Sequence, residues 1–369
     1  MVSILCVNTG GEGDLHGLRM RRLTENMAAS CTYHDFDRST SRMDNGRRLW
    51  QKLKEQRWDL VYQESTGIAG GLCLIRAARA WRQRYVVSTG DPVGEFFSTV
   101  KGAAYGRAFE AYERQLYRHS AGFVGWTPYL VGMAMKMGAP RAVTVEGAVD
   151  TKVFSAGGYA ARKAAKEHYG LPVDHLVCGV IGSLVWTPRQ NYCYGLELVE
   201  MLSYVEREDV SVLIVGDGDG KAIMESRVPA TLRERVVFTG RVPEKEVARA
   251  LHAMDIGFIS QTIDQLGRYR LTTKLPEYLA SGLAVAMSPV PGYYDYAKEA
   301  GWALPAHHPA SEVFHQECAR WLDTLPSEEV QGRRERAPAL AKKFFDYDVV
   351  RPKFEAFVED ILTMPAKEQ

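Results

Sequence analysis

The sequence predicts an α/β protein with two doubly wound parallel sheets that face a ligand-binding cleft. Its 369 residues exceed what one hydrophobic core usually holds. Short apolar runs alternate with helical stretches along the whole chain, as in successive βαβ units. The alternation starts again near Val177, so we predict one domain at residues 1–150 and a second at 151–345. Residues 346–369 contain a further helix with aromatic residues, which we expect to dock back on the first domain.

The short runs have the apolar, β-branched composition of strands that are buried on both faces of a parallel sheet. The predicted strands are Ser3–Val7, Asp59–Gln63, Tyr85–Ser88, Gly122–Gly125, Ala142–Val145, Val177–Ile181, Val210–Val215, Val236–Thr239, Asp255–Ile259 and Leu283–Met287. The predicted helices include Arg47–Gln56, Leu72–Gln83, Ala108–His119, Leu196–Val205, Lys245–Met254 and Val349–Leu362. Because ligands of such sheets bind beyond the C-terminal ends of the strands, the loops that follow these runs are where we expect a site.

The composition is that of a globular protein, with 46% hydrophobic and 25% charged residues. No apolar run reaches the ~18–20 residues of a membrane-spanning helix, and the N-terminal MVSILCVNTGG does not have the pattern of a signal peptide. We therefore expect a cytoplasmic protein. The cysteines are scattered without a Cys-x-x-Cys pair, which favours reduced thiols over a disulfide framework or a metal site. They are Cys6, Cys31, Cys73, Cys178, Cys193 and Cys318.

Charge is unevenly distributed along the chain. Residues 1–150 carry 20 Lys+Arg and 15 Asp+Glu, so the remainder is acidic even though the net charge is only +1. A basic first half would attract an anionic acceptor or the inner face of an anionic membrane, although ordinary solvated helix faces would give the same asymmetry. The basic residues predicted to lie on two early helices that could flank the cleft are Arg19, Arg21, Arg22, Arg47, Arg48 and Lys52.

A glycine-rich loop follows the first predicted strand. Gly11 and Gly13 would let the backbone approach a ligand closely before a helix begins. Asp35 and Asp37 follow a second, less clear strand, and this arrangement also fits an NAD-dependent dehydrogenase. The glycine spacing differs from the usual dinucleotide fingerprint, so both interpretations of the loop stay open at this point.

The second half contains loops with the same character. Ser183 and Arg189 follow one predicted strand, where small residues and a cation suit a pyrophosphate. Gly216 follows the next strand, in the run VLIVGDGDG. A further turn offers backbone groups that can read the edge of a nucleobase, and it consists of Gly240, Arg241, Val242 and Pro243.

The most informative segment is LTTKLPEYLASGLAVAMSPVPG, from Leu271 to Gly292. It predicts a helix that carries Glu277 and is closed by Gly282, followed by an apolar strand. A carboxylate at this edge of a sheet can accept both hydroxyls of a ribose, and Thr273 and Lys274 at the start of the helix are placed to meet phosphates. An amphipathic helix with solvated Glu and Lys side chains would have a similar sequence.

Taken together, these segments resemble the donor domain of the GT-B glycosyltransferases, in particular the retaining family-4 type (glycosyl transferases group 1). The resemblance rests on the order and spacing of GSLVWTPR, VLIVGDGDG, VVFTGRVPEKEV and LTTKLPEYLASGLAVAMS. The phrase VEGAVDTKVF, from Val145 to Phe154, also resembles the segment that joins the two domains in that family. The match is good over about residues 140–300 and is mainly architectural before residue 140.

The resemblance implies two Rossmann-like domains and a hexosyltransferase that uses a UDP- or GDP-sugar without a metal and with retention of configuration. It assigns ribose binding to Glu277 and diphosphate binding to Arg189 and Lys274. It also places Gly240, Arg241 and Val242 around the base, and Gly11 and Gly13 towards the donor phosphates or the acceptor. His16 and Asp91, in loops of the first domain, are candidates to orient the acceptor hydroxyl.

Two positions depart from the family pattern. Tyr269 stands where the family often has the first of two glutamates, and Ser183 stands where an arginine is common. Arg268 and Arg270 are candidates to restore the missing charge. A sugar-nucleotide epimerase, an NAD-dependent dehydrogenase and a non-catalytic partner subunit therefore stay as alternatives. For a transferase, the expected acceptor is a glycan or a lipid-linked saccharide of polysaccharide or glycoconjugate biosynthesis, with peripheral membrane association and no nucleic-acid partner.

Overall fold

The computed structural model describes residues 2–364 and divides the chain into two compact α/β units. Within the described residues, the first unit consists of residues 2–148, Tyr269–Leu271 and residues 347–364. The second consists of Val149–Arg268 and Thr272–Asp346. Residues 365–369, the end of the predicted segment 346–369, lie outside the described residues.

The first unit contains a six-stranded sheet in the order β2-β1-β3-β4-β5-β6, and all its pairings are parallel. Its strands are β1 (Ser3–Asn8), β2 (Ser30–Asp35), β3 (Leu60–Glu64), β4 (Tyr85–Thr89), β5 (Gly122–Gly125) and β6 (Ala142–Thr144). Its first six helices are α1 (Leu15–Thr24), α2 (Arg42–Glu55), α3 (Ile68–Trp81), α4 (Val93–Lys101), α5 (Ala103–Arg118) and α6 (Pro128–Lys136). Side chains of Asp14, Ser41 and Thr127 cap α1, α2 and α6 by accepting backbone N–H groups of the first turn.

The second unit repeats this plan with a parallel sheet in the order β12-β11-β10-β7-β8-β9. Its strands are β7 (Leu176–Ile181), β8 (Val210–Val215), β9 (Val236–Gly240), β10 (Ile256–Ile259), β11 (Ala284–Met287) and β12 (Gly301–Ala303). Helices α7 to α14 are Tyr159–His168, Leu196–Met201, Asp219–Arg227, Glu244–His252, Gln265–Tyr269, Lys274–Ala280, Glu312–Asp323 and Ser327–Phe344. Shorter turns of 3₁₀ or π type are Leu202–Tyr204, Ala230–Arg235 and Tyr293–Ala297.

The last helix, α15 (Tyr347–Thr363), belongs to the first unit although the second unit precedes it in the chain. The Phe354 ring lies 4.7 Å from the Tyr62 ring of β3, and Val358 is buried in the same core. Arg84 Nη1 donates to the carbonyl oxygen of Ile361 at 3.1 Å. Apolar packing and this hydrogen bond therefore attach the end of the described chain to the first sheet.

The two parallel sheets confirm the predicted α/β fold class. The strand order reverses next to the first strand of each sheet, between β1 and β3 and between β7 and β10. Loops at such switch points leave a crevice at the C-terminal edge of the strands, where doubly wound sheets bind ligands. Among the described residues, no helix is both long and apolar enough to span a bilayer.

Candidate active site

A cavity of about 640 Å³ opens at the C-terminal edge of the second sheet. Loops that follow β7, β8 and β9 form it, as expected for a binding crevice in a doubly wound sheet. Four residues that the sequence assigned to donor binding, namely Ser183, Gly216, Arg241 and Val242, line this one cavity. The other lining residues are Ile181, Gly182, Val215, Asp217, Gly218 and Val247.

Backbone contacts hold the three loops together. Gly216 has φ +141°, and a Cβ atom at this position would lie 1.8 Å from the carbonyl oxygen of Gly182. The Gly216 N–H donates to the carbonyl oxygen of Gly240 at 2.9 Å, and the Gly182 N–H donates to that of Val215 at 2.9 Å. Only glycine fits at residue 216, which allows the main chains of these loops to approach one another closely beside the cavity.

Helix α12 packs against the end of β7 and places Lys274 beside the cavity. The backbone N–H of Ile181 donates to the Tyr278 hydroxyl at 2.9 Å. A Cβ atom on Gly182 would lie 3.3 Å from Lys274 Nζ, which also lies 4.1 Å from the centre of the Tyr194 ring. The ammonium group thus sits next to the β7 loop, where it can meet a phosphate.

Glu277, one turn along α12, is a partly buried carboxylate to which no described residue donates a hydrogen bond. Burial raises the pKa of its carboxyl to about 7, while the Lys274 ammonium opposes that shift. Buried polar groups in folded proteins normally have partners. The free carboxylate oxygens of Glu277 are therefore the acceptors that the structure leaves for a ligand.

Two other residues that were predicted to bind the sugar-nucleotide donor do not line the cavity. Arg189 is exposed on the loop between β7 and α8 and does not line the cavity. Thr273 immediately precedes α12, is partly buried, and makes no capping hydrogen bond with its side chain. The functional roles assigned to them stay predictions.

The first unit has its own cavity, of about 330 Å³, at the C-terminal ends of β1, β3 and β4. His16 and Asp91, the two residues predicted to orient the acceptor, both line it. The His16 ring is partly buried, and its Nδ1 atom has no hydrogen-bond partner among the described residues. Asp91 Oδ1 forms an ion pair with Arg270 Nε at 2.7 Å. Arg270 is thereby held in the first unit by Asp91.

Hydrogen bonds from residues close to it in the structure hold the glycine loop after β1 in place. Asn8 Nδ2 donates to the Gly11 carbonyl oxygen at 2.9 Å and to Asp35 Oδ1 at 3.0 Å. Asp35 is also paired with Arg21. Gly11 (φ +98°) is buried, while Gly13 is exposed, and their contact with donor or acceptor stays a prediction. Because Asp35 is occupied in this way, the structure gives no support to its binding of a dinucleotide ribose.

One prediction about the basic first half is wrong. Arg19 was expected on a basic helix face, but it is only 3% exposed. Its Nη2 atom donates to the Val145 carbonyl oxygen at 2.9 Å, and its Nε atom lies 3.6 Å from Glu64 Oε1. Helix α1 packs on the sheet with this side chain inward, so its charge serves the core of the unit.

The sequence analysis did not identify several residues that line the first-unit cavity. Ser65 follows β3 in a left-handed conformation, φ +74°, which is uncommon for a residue other than glycine. Phe36 follows β2, and Thr9 follows β1. The predicted strands Ser3–Val7 and Asp59–Gln63 each end one residue before the observed strands, and β2 was not delimited, so the sequence did not mark these three positions. Phe96 and Phe97 lie on α4 and were not marked by the sequence either.

Metal ligands were not predicted. Within residues 2–364, no three His, Cys, Asp or Glu side chains come together in an arrangement that would hold a metal ion. Asp217 lies in the loop after β8 and Asp219 begins α9. Asp219 Oδ1 accepts the backbone N–H of Trp186 at 2.7 Å.

Comparison with known families gives the same assignment for both units. The family described as Glycosyl transferase 4-like domain matches residues 1–146, and Glycosyl transferases group 1 matches residues 175–323. The chain belongs to the GT-B glycosyltransferases. The resemblance inferred from its sequence motifs is thus confirmed, and the dehydrogenase alternative has no support from the family or from Asp35.

Solved structures show that this glycosyltransferase shares its fold over almost its full length. HepE from Anabaena, in complex with UDP-glucose, superposes with a TM-score of 0.76 at 14% identity and covers 98% of this chain and 100% of its own. WaaG, a glycosyltransferase involved in lipopolysaccharide biosynthesis, gives a TM-score of 0.68 at 15% identity, with 98% and 100% coverage. At such low identity these similarities concern the fold alone.

One relative is similar enough for its sequence identity to be compared directly. The 2-deoxystreptamine glucosyltransferase of Streptomyces kanamyceticus is 30% identical to this glycosyltransferase over 190 residues. The matched stretch covers 50% of this chain and 47% of the relative, so it spans about half of each protein.

Proposed function

We propose that this glycosyltransferase moves a sugar from a UDP-sugar to a hydroxyl group of a glycan or lipid-linked saccharide, with retention of configuration and without a metal. The observation that carries the proposal is Glu277, whose carboxylate accepts no hydrogen bond from a described residue. It lies one turn along α12 from Lys274, the residue next to the β7 loop that lines the cavity. UDP is favoured as the carrier because the similarly folded HepE was solved with UDP-glucose. The glucosyltransferase relative supports a hexose as the transferred group.

The donor would bind along the C-terminal edge of the second sheet. The Glu277 carboxylate accepts hydrogen bonds from the two ribose hydroxyls, and such charge-assisted bonds are stronger than neutral ones. Arg241 and Val242 flank the base in the turn after β9. The loops at Ser183 and Gly216 offer room for the diphosphate against the backbone.

In the proposed reaction, the bond between the anomeric carbon and the β-phosphate oxygen breaks, and negative charge grows on the departing UDP. Lys274, beside the β7 loop, and Arg189 would oppose that charge. The acceptor oxygen bonds to the anomeric carbon on the same face, and its proton passes to the leaving phosphate oxygen. This sequence of events needs no nucleophilic side chain.

The acceptor would bind in the cavity of the first unit. His16 has an unpartnered ring nitrogen there that can hydrogen-bond an acceptor hydroxyl. Asp91, fixed by Arg270, would orient a second group of the acceptor. We also propose that this basic half is attracted to an anionic acceptor at a membrane surface. Because salt screens such attraction, the affinity for the acceptor should fall as the salt concentration rises.

The decisive experiment is calorimetric titration of UDP into Glu277→Ala. Loss of two charge-assisted hydrogen bonds should weaken binding by about 2–4 kcal/mol, or roughly 30- to 900-fold. Glu299→Ala serves as the matched control, because Glu299 is an exposed glutamate of the same unit away from the cavity. Equal UDP affinity in the wild type and a folded Glu277→Ala protein would refute the assignment.

Assays with the wild-type protein separate the transferase from the remaining alternatives. Incubation with UDP-glucose and a panel of glycan or lipid-linked acceptors should give a glycoside with the anomeric configuration of the donor. Epimerisation of UDP-glucose in the absence of any acceptor would indicate the epimerase instead. UDP binding without transfer or hydrolysis of any member of a panel of sugar nucleotides would indicate a non-catalytic subunit.

A further inference from the structure

A second charged region lies at the opposite, N-terminal edge of the second sheet. Asp255 precedes β10, and three cations surround its carboxylate. Arg162 Nη2 lies 2.7 Å from Oδ1, Lys166 Nζ lies 3.0 Å from Oδ2, and Arg334 Nη1 lies 3.3 Å from Oδ1. The Val177 N–H also donates to Oδ2 at 2.9 Å. This group of four charged side chains is called the Asp255 cluster below.

The Asp255 cluster has more positive than negative charge. Its four side chains are only 8–14% exposed, and three cations share one carboxylate. Burial and the neighbouring Arg162 lower the pKa of Arg334 to about 10, and burial also lowers the pKa of Arg162. Burial alone would raise the pKa of Asp255, but Lys166, Arg162 and Arg334 hold it below its usual value. Buried charge without a counter-charge is costly, so two units of positive charge are left to be balanced.

Backbone carbonyl groups supply only part of that balance. Lys166 Nζ donates to the carbonyl oxygens of Val173 and His175, and Arg162 Nη2 donates to that of Met254. The Nη1 atom of Arg162, in contrast, is buried and has no hydrogen-bond partner among the described residues. One strong donor of a residue that is 92% buried is therefore unused, since Arg162 is only 8% exposed.

A cavity of about 310 Å³ adjoins the Asp255 cluster, and Arg162, Lys166 and Arg334 all line it. The rest of the lining includes two more cations, Lys163 and Arg207, and two carboxylates, Asp174 and Asp209, so the lining as a whole has an excess of two positive charges. Lys163 Nζ also lies 3.8 Å from Glu167 Oε1 outside the lining. Ser327, the first residue of the 18-residue helix α14, also lines the cavity. No side chain caps this helix, but Glu328 and Glu329 lie in its first turn. Helix N-termini attract anions because their free N–H groups and dipole present positive charge. The two carboxylates in the first turn of α14 already oppose the helix dipole, so two features of the cavity favour an anion here: the excess of cations and the unused guanidinium donor of Arg162.

We infer that this cavity binds a small anion with a phosphate group, at a site separate from the donor cavity of the same unit. A phosphate dianion matches the two uncompensated positive charges, which chloride or a carboxylate does not. Its tetrahedral oxygens also suit the planar fork of an arginine. The site lies at the N-terminal ends of β7 and β10, whereas the donor cavity lies at the C-terminal ends of β7 and β8. It does not depend on the proposed reaction.

Thermal unfolding with inorganic phosphate tests this inference, with potassium chloride at equal ionic strength as the reference. A ligand that binds only the folded state should raise Tm with a saturating dependence, by about 2–4 °C at several times its dissociation constant. Gln331→Glu places a carboxylate in the lining, at a position whose side-chain oxygen accepts from Arg334 Nη1 at 3.1 Å. The new charge should remove most of the phosphate-dependent rise.

Gln51→Glu, at an exposed position of α2 in the first unit, adds the same charge elsewhere and should keep the full phosphate effect. Arg162→Gln should also abolish the effect; if that protein does not fold, Gln331→Glu decides alone. A phosphate effect that survives Gln331→Glu would place the anion elsewhere, for example in the donor cavity, and would overturn the inference. A Tm rise no larger than that in chloride would overturn it as well.

Discussion

Two corners of the second unit each hold a glutamate near the start of a helix, but their surroundings differ. At the Glu197 corner, in α8, the carboxylate is fully buried and accepts from Tyr192 OH at 2.9 Å, Ser260 OH at 2.6 Å and the Gly195 N–H at 3.1 Å. At the Glu277 corner, in α12, the carboxylate is partly buried and accepts from no described residue.

The comparison shows how to distinguish a structural carboxylate from a binding carboxylate. Glu113 in the first unit resembles Glu197, because it accepts from the N–H groups of Val93 and Gly94 and from the Tyr117 hydroxyl. Such acidic groups complete the hydrogen bonding of the core. Glu277 is partly buried but accepts no hydrogen bond from a described residue. Its oxygens are therefore available to a ligand, and the unpaired charge lowers the stability of the ligand-free protein.

The largest effect is expected at the Glu197 corner. Glu197→Ala leaves the buried Tyr192 hydroxyl, Ser260 hydroxyl and Gly195 N–H without their acceptor, and it also creates a cavity. We expect a loss of about 3–5 kcal/mol in the free energy of unfolding, measured by urea denaturation. Glu200→Ala on the same helix removes only a partly exposed pair with Arg227 and should cost less than about 1 kcal/mol. Similar losses in the two variants would contradict the structural role of Glu197.

A smaller effect of opposite sign is expected at the Glu277 corner. Glu277→Gln removes a charge that is partly buried and has no hydrogen bond, so the ligand-free protein should gain roughly 1–3 kcal/mol of stability at pH 8. The same variant should bind UDP more weakly than the wild type. A destabilised Glu277→Gln protein would mean that the carboxylate has a structural partner and that the two corners are alike.

The pH dependence of that gain follows from the raised pKa. The unfolded Glu277 carboxyl releases its proton near pH 4.5, but the folded one releases it only near pH 7. The folded state thus binds more protons in this interval, and the contribution of Glu277 to stability falls as pH rises from 4.5 to 7. The advantage of Glu277→Gln over the wild type should therefore grow across this range and level off above pH 7. An advantage that is constant between pH 5 and pH 8 would refute the raised pKa.

The smallest effect concerns the loop that faces the Glu277 corner. Ser183 is exposed and lines the cavity after β7. It is also the position where the family resemblance leads us to expect an arginine. Ser183→Arg should strengthen UDP binding by about 1 kcal/mol, or roughly fivefold, because a guanidinium pairs well with phosphate. Ser203→Arg, at an exposed site outside the cavity, is the control. If both variants bind UDP like the wild type, the diphosphate does not lie beside residue 183.

The sequence by itself determined the two sheets and the glycine loops at their C-terminal edges. Strands such as Val210–Val215 are apolar except for Ser211, and the residues that carry this signal are adjacent in the chain. Edge strands had weaker signals. Strand β2, SCTYHD, is largely polar and partly exposed, and β12 has only three residues, so neither was delimited from the sequence. Gly216 could be predicted because a tight turn between a strand and a helix requires a glycine at that point of the sequence.

Only the tertiary structure decided which side chains meet. Arg19 looked like a surface cation, but the packing of α1 buries it against Glu64. The Asp255 cluster joins α7, the residue before β10, and α14, which are far apart in sequence. Helical periodicity says which face of a helix is apolar, whereas burial and pairing of a charge depend on which distant element covers that face. For the same reason the sequence could nominate Glu277, while its lack of a hydrogen-bond donor became visible only in the fold.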